Sequence, residues 1–175
     1  TEDGRIFQAL ATAYTELVDP RHLTFCVMTS EACRRVLMHF GYRAEVSRVN
    51  WLAPPLADYT VGFIGDSRPG KWDGHVVCAT DDWLLDGALA HVSRGLELQL
   101  PACVAVQRTA DRNGGVIAEY EIPDVAVTFD GRPVPLGYTA SVPRQPKWVI
   151  KPLAARLITR VGMLLKSSER EICAN

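Results

Sequence analysis

Three segments of the chain, two near its start and one near its end, carry apolar residues at helical spacing. The first runs from Arg5 to Val18 and the second from about Phe25 to Phe40, where Gly41 supplies the left-handed residue that often follows a helix. The third is predicted from Pro152 to about Glu169, because proline is well tolerated in the first turn of a helix. Its apolar stripe consists of Leu153, Leu157, Ile158, Val161, Leu164 and Leu165.

Between the second and third helices, the pattern changes to short apolar or alternating runs that turn residues separate. Such runs predict β-strands at 43–49, 59–64, 75–80, 83–86, 103–107, 116–122 and 125–129. Proline, glycine and aspartate predict loops at 51–57 and 65–74. Because helices and strands are segregated along the chain and do not alternate, the predicted fold class is α+β with an antiparallel sheet.

The length of 175 residues predicts a single domain. Within it, residues 1–42 are expected to form the helical part, 43–140 the antiparallel sheet and 141–175 the C-terminal helix and tail. The composition, with 47% hydrophobic and 22% charged residues, is typical of a folded protein with a core. The first ten residues are polar and then amphipathic, a pattern that does not match a secretory signal.

Charge and cysteine content argue against several classes of function. A net charge of -1 without a cluster of Lys and Arg predicts no nucleic-acid partner, and no apolar run reaches the roughly twenty residues that span a bilayer. Five cysteines without a Cys-x-x-Cys pair, and no clustered histidines, predict that there is no metal site. No glycine-rich phosphate loop precedes a helix, so no nucleotide cofactor is expected. Thiols in apolar segments favour a reduced, cytoplasmic protein.

Cys26 has the clearest chemical signal, because it opens the second predicted helix. The positive end of the helix dipole favours the thiolate form of a cysteine in the first turn. Cys33 lies two turns further along nearly the same face, where the dipole effect has faded, and is expected to be an inert core residue. Since a cysteine at a helix start is structural more often than catalytic, its neighbours decide its role.

His75 and Asp86 lie on two predicted strands that a tight hairpin joins. With Asp81-Asp82 as the loop they are diagonal neighbours, and with Thr80-Asp81 they are directly opposite, so both registers place them on one face of the sheet. A carboxylate in that position can orient the imidazole and stabilise its charged form. The alternatives are an exposed strand histidine beside an aspartate near a turn, or His91 as the partner of Asp86.

Together these features resemble the transglutaminase-like branch of the papain-like cysteine protease and acyltransferase superfamily. The segment from Cys26 to Gly41 (CVMTSEACRRVLMHFG), with the strand after it, is similar to the nucleophile helix of that branch. The segment from Gly74 to Asp86 (GHVVCATDDWLLD), with Trp83 at the start of its second strand, is similar to the His-strand and Asp-strand. The resemblance covers residues 22–90, and no subfamily is identified, because the residues that flank Cys26 match none of the familiar ones.

The resemblance implies a papain-like or transglutaminase-like core with a catalytic triad and no cofactor. Cys26 would attack an amide, ester or thioester carbonyl of a peptide or small acyl substrate, as in a thiol-dependent hydrolase or acyltransferase. His75 would move the proton and Asp86 would hold His75. The backbone N–H of Cys26 would stabilise the oxyanion together with a second donor, for which His22 and Gln8 are candidates.

Two loop tryptophans and the terminal helix leave other interpretations open. Trp51 and Trp72 are expected to line a substrate cleft, although large aromatic residues in loops more often cover the core. The alternative function is a non-catalytic binding module on the same scaffold that engages a protein partner. A structural subunit would instead expose a large apolar patch in the 134–165 region. A Cys26 sulfur close to a His75 ring nitrogen favours the enzyme, and a buried or distant sulfur favours the binding module.

Overall fold

The computed structural model describes residues 2–18, 26–52, 60–61, 75–89, 101–109, 115–122, 125–130 and 147–173. The helices in this part of the chain are α1 (Glu2–Leu17), α2 (Cys26–His39) and α3 (Lys147–Cys173). The strands are β1 (Glu45–Leu52), β2 (Thr60–Val61), β3 (His75–Ala79), β4 (Trp83–Asp86), β5 (Val104–Gln107), β6 (Val116–Ile122) and β7 (Val125–Asp130). Two helices precede the strands and one follows them, which confirms the α+β class.

The described strands form one antiparallel sheet in the order β5-β4-β3-β1-β7-β6, with β2 beside the last residues of β1. β1 connects two parts of this sheet, because its first part pairs with β3 and its last part pairs with β7. The N–H of Thr109, just after β5, donates to the carbonyl of Ile117 in β6 at 3.0 Å. Since β5 and β6 are at opposite ends of the strand order, this bond shows that the sheet curls back on itself.

α1 and α2 both pack against α3, and α2 also lies on β3. The apolar stripe of each helix lies in the core that these contacts form, as helical spacing predicts. Cys33 of α2 is fully buried there, together with Cys78 of β3 and Leu85 of β4. Burial of a leucine such as Leu85 contributes roughly 1.5–3 kcal/mol to stability. The helix that begins with Cys26 is therefore held against the β3–β4 hairpin.

The end of α2 is fixed by a left-handed glycine, as the sequence predicts. Gly41 has a φ of 89°, which costs a glycine little and other residues more. Its N–H donates to the Met38 carbonyl at 3.1 Å, and the N–H of Tyr42 donates to the Leu37 carbonyl at 3.0 Å. These two bonds form a Schellman motif, which satisfies carbonyl groups that the end of the helix would otherwise leave open.

β1 is longer than the sequence pattern predicts. The prediction of a loop from Trp51 onward is wrong for Trp51 and Leu52, which are the last residues of the strand. Trp51 pairs with Val61 of β2 on one side and with Phe129 of β7 on the other. Pairing with distant strands therefore extends β1, a tertiary effect that local turn signals do not contain. The rest of the predicted loop, 53–57, lies outside the described residues, as does the predicted loop at 65–74.

The terminal helix begins earlier than predicted. α3 starts at Lys147, so Pro152 is its sixth residue and the prediction of proline in the first turn is wrong. The additional turn is stabilised by packing, because Ile150 is buried and Val149 packs against the core. Pro152 has no N–H to donate to the carbonyl four residues before it, and the helix continues past this missing bond.

Candidate active site

Cys26 is the first residue of α2, and its side chain is half-buried. At this position its N–H has no acceptor within the helix and is directed toward the helix N-terminus. The next turn of the helix is anchored by two hydroxyl groups. Thr29 donates to the carbonyl of Cys26 at 3.0 Å, and Ser30 donates to the carbonyl of Val76 in β3 at 3.0 Å. The start of the helix is thus fixed beside the strand that begins with His75.

The β3–β4 hairpin has one of the two registers that the sequence allows. Cys78 pairs with Leu85, and the N–H of Thr80 donates to the carbonyl of Trp83 at 2.9 Å. This makes Asp81-Asp82 the loop and shows that the alternative loop, Thr80-Asp81, is wrong. The hairpin is also anchored to α1, because the rings of Trp83 and Phe7 stack with their centroids 5.3 Å apart.

This register makes His75 and Asp86 diagonal neighbours on one face of the sheet. Nε2 of His75 lies 2.7 Å from Oδ2 of Asp86, and the two residues are only 3% and 1% exposed. Oδ1 of Asp86 accepts a hydrogen bond from the N–H of Ala88 at 3.0 Å. Both carboxylate oxygens are therefore engaged, and Nδ1 is the ring nitrogen of His75 that remains for Cys26. The alternative of an exposed histidine on this strand is wrong.

The protonation of His75 depends on its two neighbours. Burial alone would lower the pKa of His75, but the charge and the hydrogen bond of Asp86 and the contact with the Cys26 side chain raise it to about 10. Near neutral pH the ring therefore keeps a second proton and carries a positive charge. A cationic ring between a carboxylate and a sulfur is the arrangement that stabilises a thiolate.

Three other cysteines lie in a different environment. Cys33, Cys78 and Cys103 are buried, and burial raises the pKa of each thiol, that of Cys78 to about 12 and those of Cys33 and Cys103 well above the usual range. A buried thiol that keeps its proton is a poor nucleophile. The prediction that Cys33 is a core residue is confirmed by its position.

Tyr14 of α1, which the sequence analysis did not select, packs against the backbone that follows Asp86. A Cβ atom on Gly87 would lie 2.9 Å from Cζ of Tyr14. The Tyr14 hydroxyl is buried beside Thr29, but the two groups are not aligned for a hydrogen bond. Burial raises the pKa of this phenol far above its usual range. The ring thus connects the start of α2 with the turn after β4.

Replacing Gly87 with Ala is expected to lower the free energy of unfolding by about 1–3 kcal/mol, because the added methyl group must displace the buried Tyr14 ring. Chemical denaturation measures this change. The matched control is Gly162→Ala in α3, where an added Cβ meets nothing within 4 Å. That variant is expected to gain roughly 0.5–1 kcal/mol, because alanine favours a helix. A Gly87→Ala protein as stable as the wild type would contradict the tight packing of Tyr14.

For most of the other predicted site residues, the structure does not describe the side chain. Trp51 belongs to β1, but nothing is described of its side chain, and Trp72, His22 and His91 lie outside the described residues. The side chain of Gln8 is exposed on α1. Ser30 and Tyr14 were missed, although Ser30 had a signal in the sequence. It is a hydroxyl residue one turn after Cys26, on a helix face that otherwise buries apolar side chains.

Two shallow depressions lie at the tip of the hairpin, at the end of β3 opposite His75. One, of about 230 Å³, is lined by residues that include Arg43, Glu45 and Asp81, and the other, of about 150 Å³, lies between Arg43 and Trp83. Ligand sites usually measure about 300–1,000 Å³. These depressions are too small and too far along the strand to belong to the cluster of Cys26 and His75.

Among the described residues, no group of three or more His, Cys, Asp and Glu side chains is placed to hold a metal ion. None of the described helices is long and apolar enough to cross a membrane. No protein family, curated protein or solved structure matches this chain.

Proposed function

We propose that the protein is a thiol-dependent hydrolase or acyltransferase that uses Cys26, His75 and Asp86 as a catalytic triad. One observation carries the proposal: a buried His75–Asp86 pair lies against a half-buried cysteine at the first residue of a helix. A nucleophile, a base beside it and a third group that orients the base are the parts that covalent acyl transfer requires.

The first half of the reaction forms an acyl-enzyme. The Cys26 thiolate attacks the carbonyl carbon of an amide, ester or thioester, and the electron pair of the C=O bond moves to oxygen. The N–H of Cys26, at the positive end of α2, is placed to donate to this oxyanion. When the oxyanion collapses, the bond to the leaving group breaks and Nδ1 of His75 gives that group its proton. Asp86 holds the ring in place through Nε2.

The second half releases the acyl group. Water or an amine attacks the thioester carbon of acyl-Cys26, and Nδ1 of His75 accepts the proton of the attacking group. Collapse of this second oxyanion breaks the carbon–sulfur bond and restores the thiolate beside the charged ring. The proton returns to His75 at the end of each cycle, so the pair with Asp86 does not need to dissociate at any step.

The scaffold supports the narrower proposal of a transglutaminase-like, papain-like core. A helix that begins with the nucleophile packs on an antiparallel sheet, and His75 and Asp86 follow on adjacent strands of that sheet. The chain order of cysteine, histidine and aspartate matches the order in that superfamily. The C-terminal helix α3 packs on α1 and α2 and completes the helical layer.

An acyl-enzyme trap tests the proposal. Mixing the protein with an activated ester such as p-nitrophenyl acetate is expected to release a rapid burst of nitrophenolate and to leave an acetyl group on Cys26. Mass spectrometry of the whole protein and of its peptides locates the acetyl group. The burst should be absent in Cys26→Ala and retained in Cys33→Ala, which removes a thiol from the same helix. A burst that survives in Cys26→Ala would refute the proposed nucleophile.

A further inference from the structure

Ser30 connects the helix that carries Cys26 with the strand that carries His75. It lies four residues after Cys26, close to one turn of the helix and therefore on nearly the same face. Its hydroxyl donates to the carbonyl of Val76, the residue next to His75, at 3.0 Å. Ser30 and Val76 are only 1% and 3% exposed, so water does not compete for this bond.

The carbonyl of Val76 is available because the ladder between β3 and β4 ends there. In an antiparallel pair, alternate residues direct their backbone groups toward the same neighbour. The N–H of Thr80 donates to the carbonyl of Trp83 in β4. The backbone N–H and C=O of Val76, four residues earlier, therefore also point toward β4. In this register the partner of Val76 would be residue 87, but β4 ends at Asp86. The Ser30 hydroxyl takes the place of the missing strand residue.

Ser30 could have bonded within its own helix, as buried serines often do. The usual acceptor is the carbonyl four residues earlier, which here belongs to Cys26. That carbonyl already accepts the hydroxyl of Thr29, and Ser30 bonds across to β3 instead. The cross-link thus lies one turn from the sulfur on the helix side and one residue from the imidazole on the strand side.

We infer that Ser30 is a positioning residue that sets the approach of the Cys26 sulfur to Nδ1 of His75. The inference rests on the proposed function, because the distance between the Cys26 sulfur and Nδ1 of His75 matters for catalysis only if the two residues act together. The groups that face His75 are Asp86 from β4 and Cys26 from α2, and Ser30 orients the second of these without touching the ring. Loss of the cross-link frees the start of α2 to move away from β3.

Replacing Ser30 with Ala is expected to slow alkylation of Cys26 at about pH 6 by about tenfold, because small displacements of reacting groups are costly. The rate in mildly alkaline solution, where thiols ionise without help, should stay close to that of the wild type. A purely structural role would not shift this pH profile. Val161→Ala, which weakens the core from α3, is the control for lower stability and should keep the wild-type profile.

A second pair of variants keeps the test decisive if Ser30→Ala does not fold. Ser30→Thr and Ser30→Val introduce side chains of nearly the same branched shape, but only threonine retains the hydroxyl. Faster alkylation of the threonine variant at about pH 6, by about tenfold, supports the inference, and equal rates overturn it. The proposed function fails separately: it falls if wild-type Cys26 itself is unreactive at this pH. A reactive wild type with unchanged Ser30 variants overturns the positioning role alone.

Discussion

In the folded protein at about pH 6, iodoacetamide is expected to alkylate Cys26 at least about a hundredfold faster than Cys33, Cys78 or Cys103. Cys26 is half-buried beside a charged imidazole, whereas the other three are at most 6% exposed. Burial also raises the pKa of these three thiols, so very little of their thiolate exists at this pH. Access and ionisation therefore act in the same direction.

Peptide mapping by mass spectrometry after short reaction times measures the rate at each cysteine. The matched variants are Cys26→Ala, which should lose the fast reaction, and Cys33→Ala, which should retain it. In strong denaturant the cysteines should react at similar rates, because the helix and the hairpin that distinguish them are gone. If Cys26 reacts no faster than Cys33 in the native protein, Cys26 is not an activated nucleophile.

The parts of the fold that the sequence predicts correctly are those whose signals are local. α2 has its apolar period and its terminal glycine within one segment, and Gly41 adopts the left-handed conformation expected of it. The β3–β4 hairpin has alternating strands on both sides of a short polar loop. Two registers remained open, since both place His75 and Asp86 on one face, and only the structure distinguishes them.

The missed features depend on contacts between residues far apart in the chain. β1 continues to Leu52 because β2 and β7 pair with it, and neither strand is visible from the residues around Trp51. The bond from Ser30 to Val76 spans 46 positions, and no local period encodes it. Tyr14 belongs to the apolar stripe of α1, so its sequence context does not indicate that its ring supports the turn after Asp86.

The candidate site also shows why three residues with weak individual signals become informative together. The helix start gives Cys26 an open N–H, the hairpin gives His75 a buried carboxylate, and packing of α2 on β3 joins the two. A buried histidine–aspartate pair has a cost in desolvation, which the pair offsets only with good hydrogen bonds. The proposed catalytic role gives this costly pair a purpose beside the half-buried sulfur of Cys26.

Replacing Asp86 with Asn is expected to slow alkylation of Cys26 near neutral pH by at least about tenfold. In the wild type, the charge and hydrogen bond of Asp86 help to raise the pKa of His75 to about 10 against the opposite effect of burial. Without that charge, burial dominates and lowers the pKa of His75. The ring then loses its second proton near neutral pH and no longer stabilises the Cys26 thiolate.

The geometry adds a second reason for the same result. The N–H of Ala88 donates to Oδ1 of Asp86, so an asparagine at this position would keep its oxygen there and direct its amide NH₂ toward His75. That group donates, which forces Nε2 of a neutral ring to be the acceptor and places the ring proton on Nδ1. The nitrogen that faces Cys26 would then be unable to accept the thiol proton.

Stability should respond to pH through the same residue. The folded-state pKa of His75 is raised from the ordinary 6.5 to about 10. Between these two pH values, His75 holds a second proton in the native protein and has lost it in the unfolded chain. In the wild type this proton is offset by the one that the Cys26 thiolate has lost and the unfolded thiol keeps, so the effect on stability is expected in Cys26→Ala. In that variant the contribution is complete below about pH 6.5 and falls as the pH rises, with a slope of up to about 1.4 kcal/mol per pH unit. Asp86→Asn should abolish this slope.

Urea denaturation of the Cys26→Ala proteins between about pH 6.5 and about pH 7.5, below the range in which unfolded thiols ionise, measures the slope, and alkylation of the proteins that retain Cys26 measures the reactivity. The matched control is Asp82→Asn, which makes the same change of charge at the exposed tip of the same hairpin and should leave both quantities unchanged. If Asp86→Asn changes neither the alkylation rate nor the slope, Asp86 does not hold the proton on His75, and the triad reduces to Cys26 and His75.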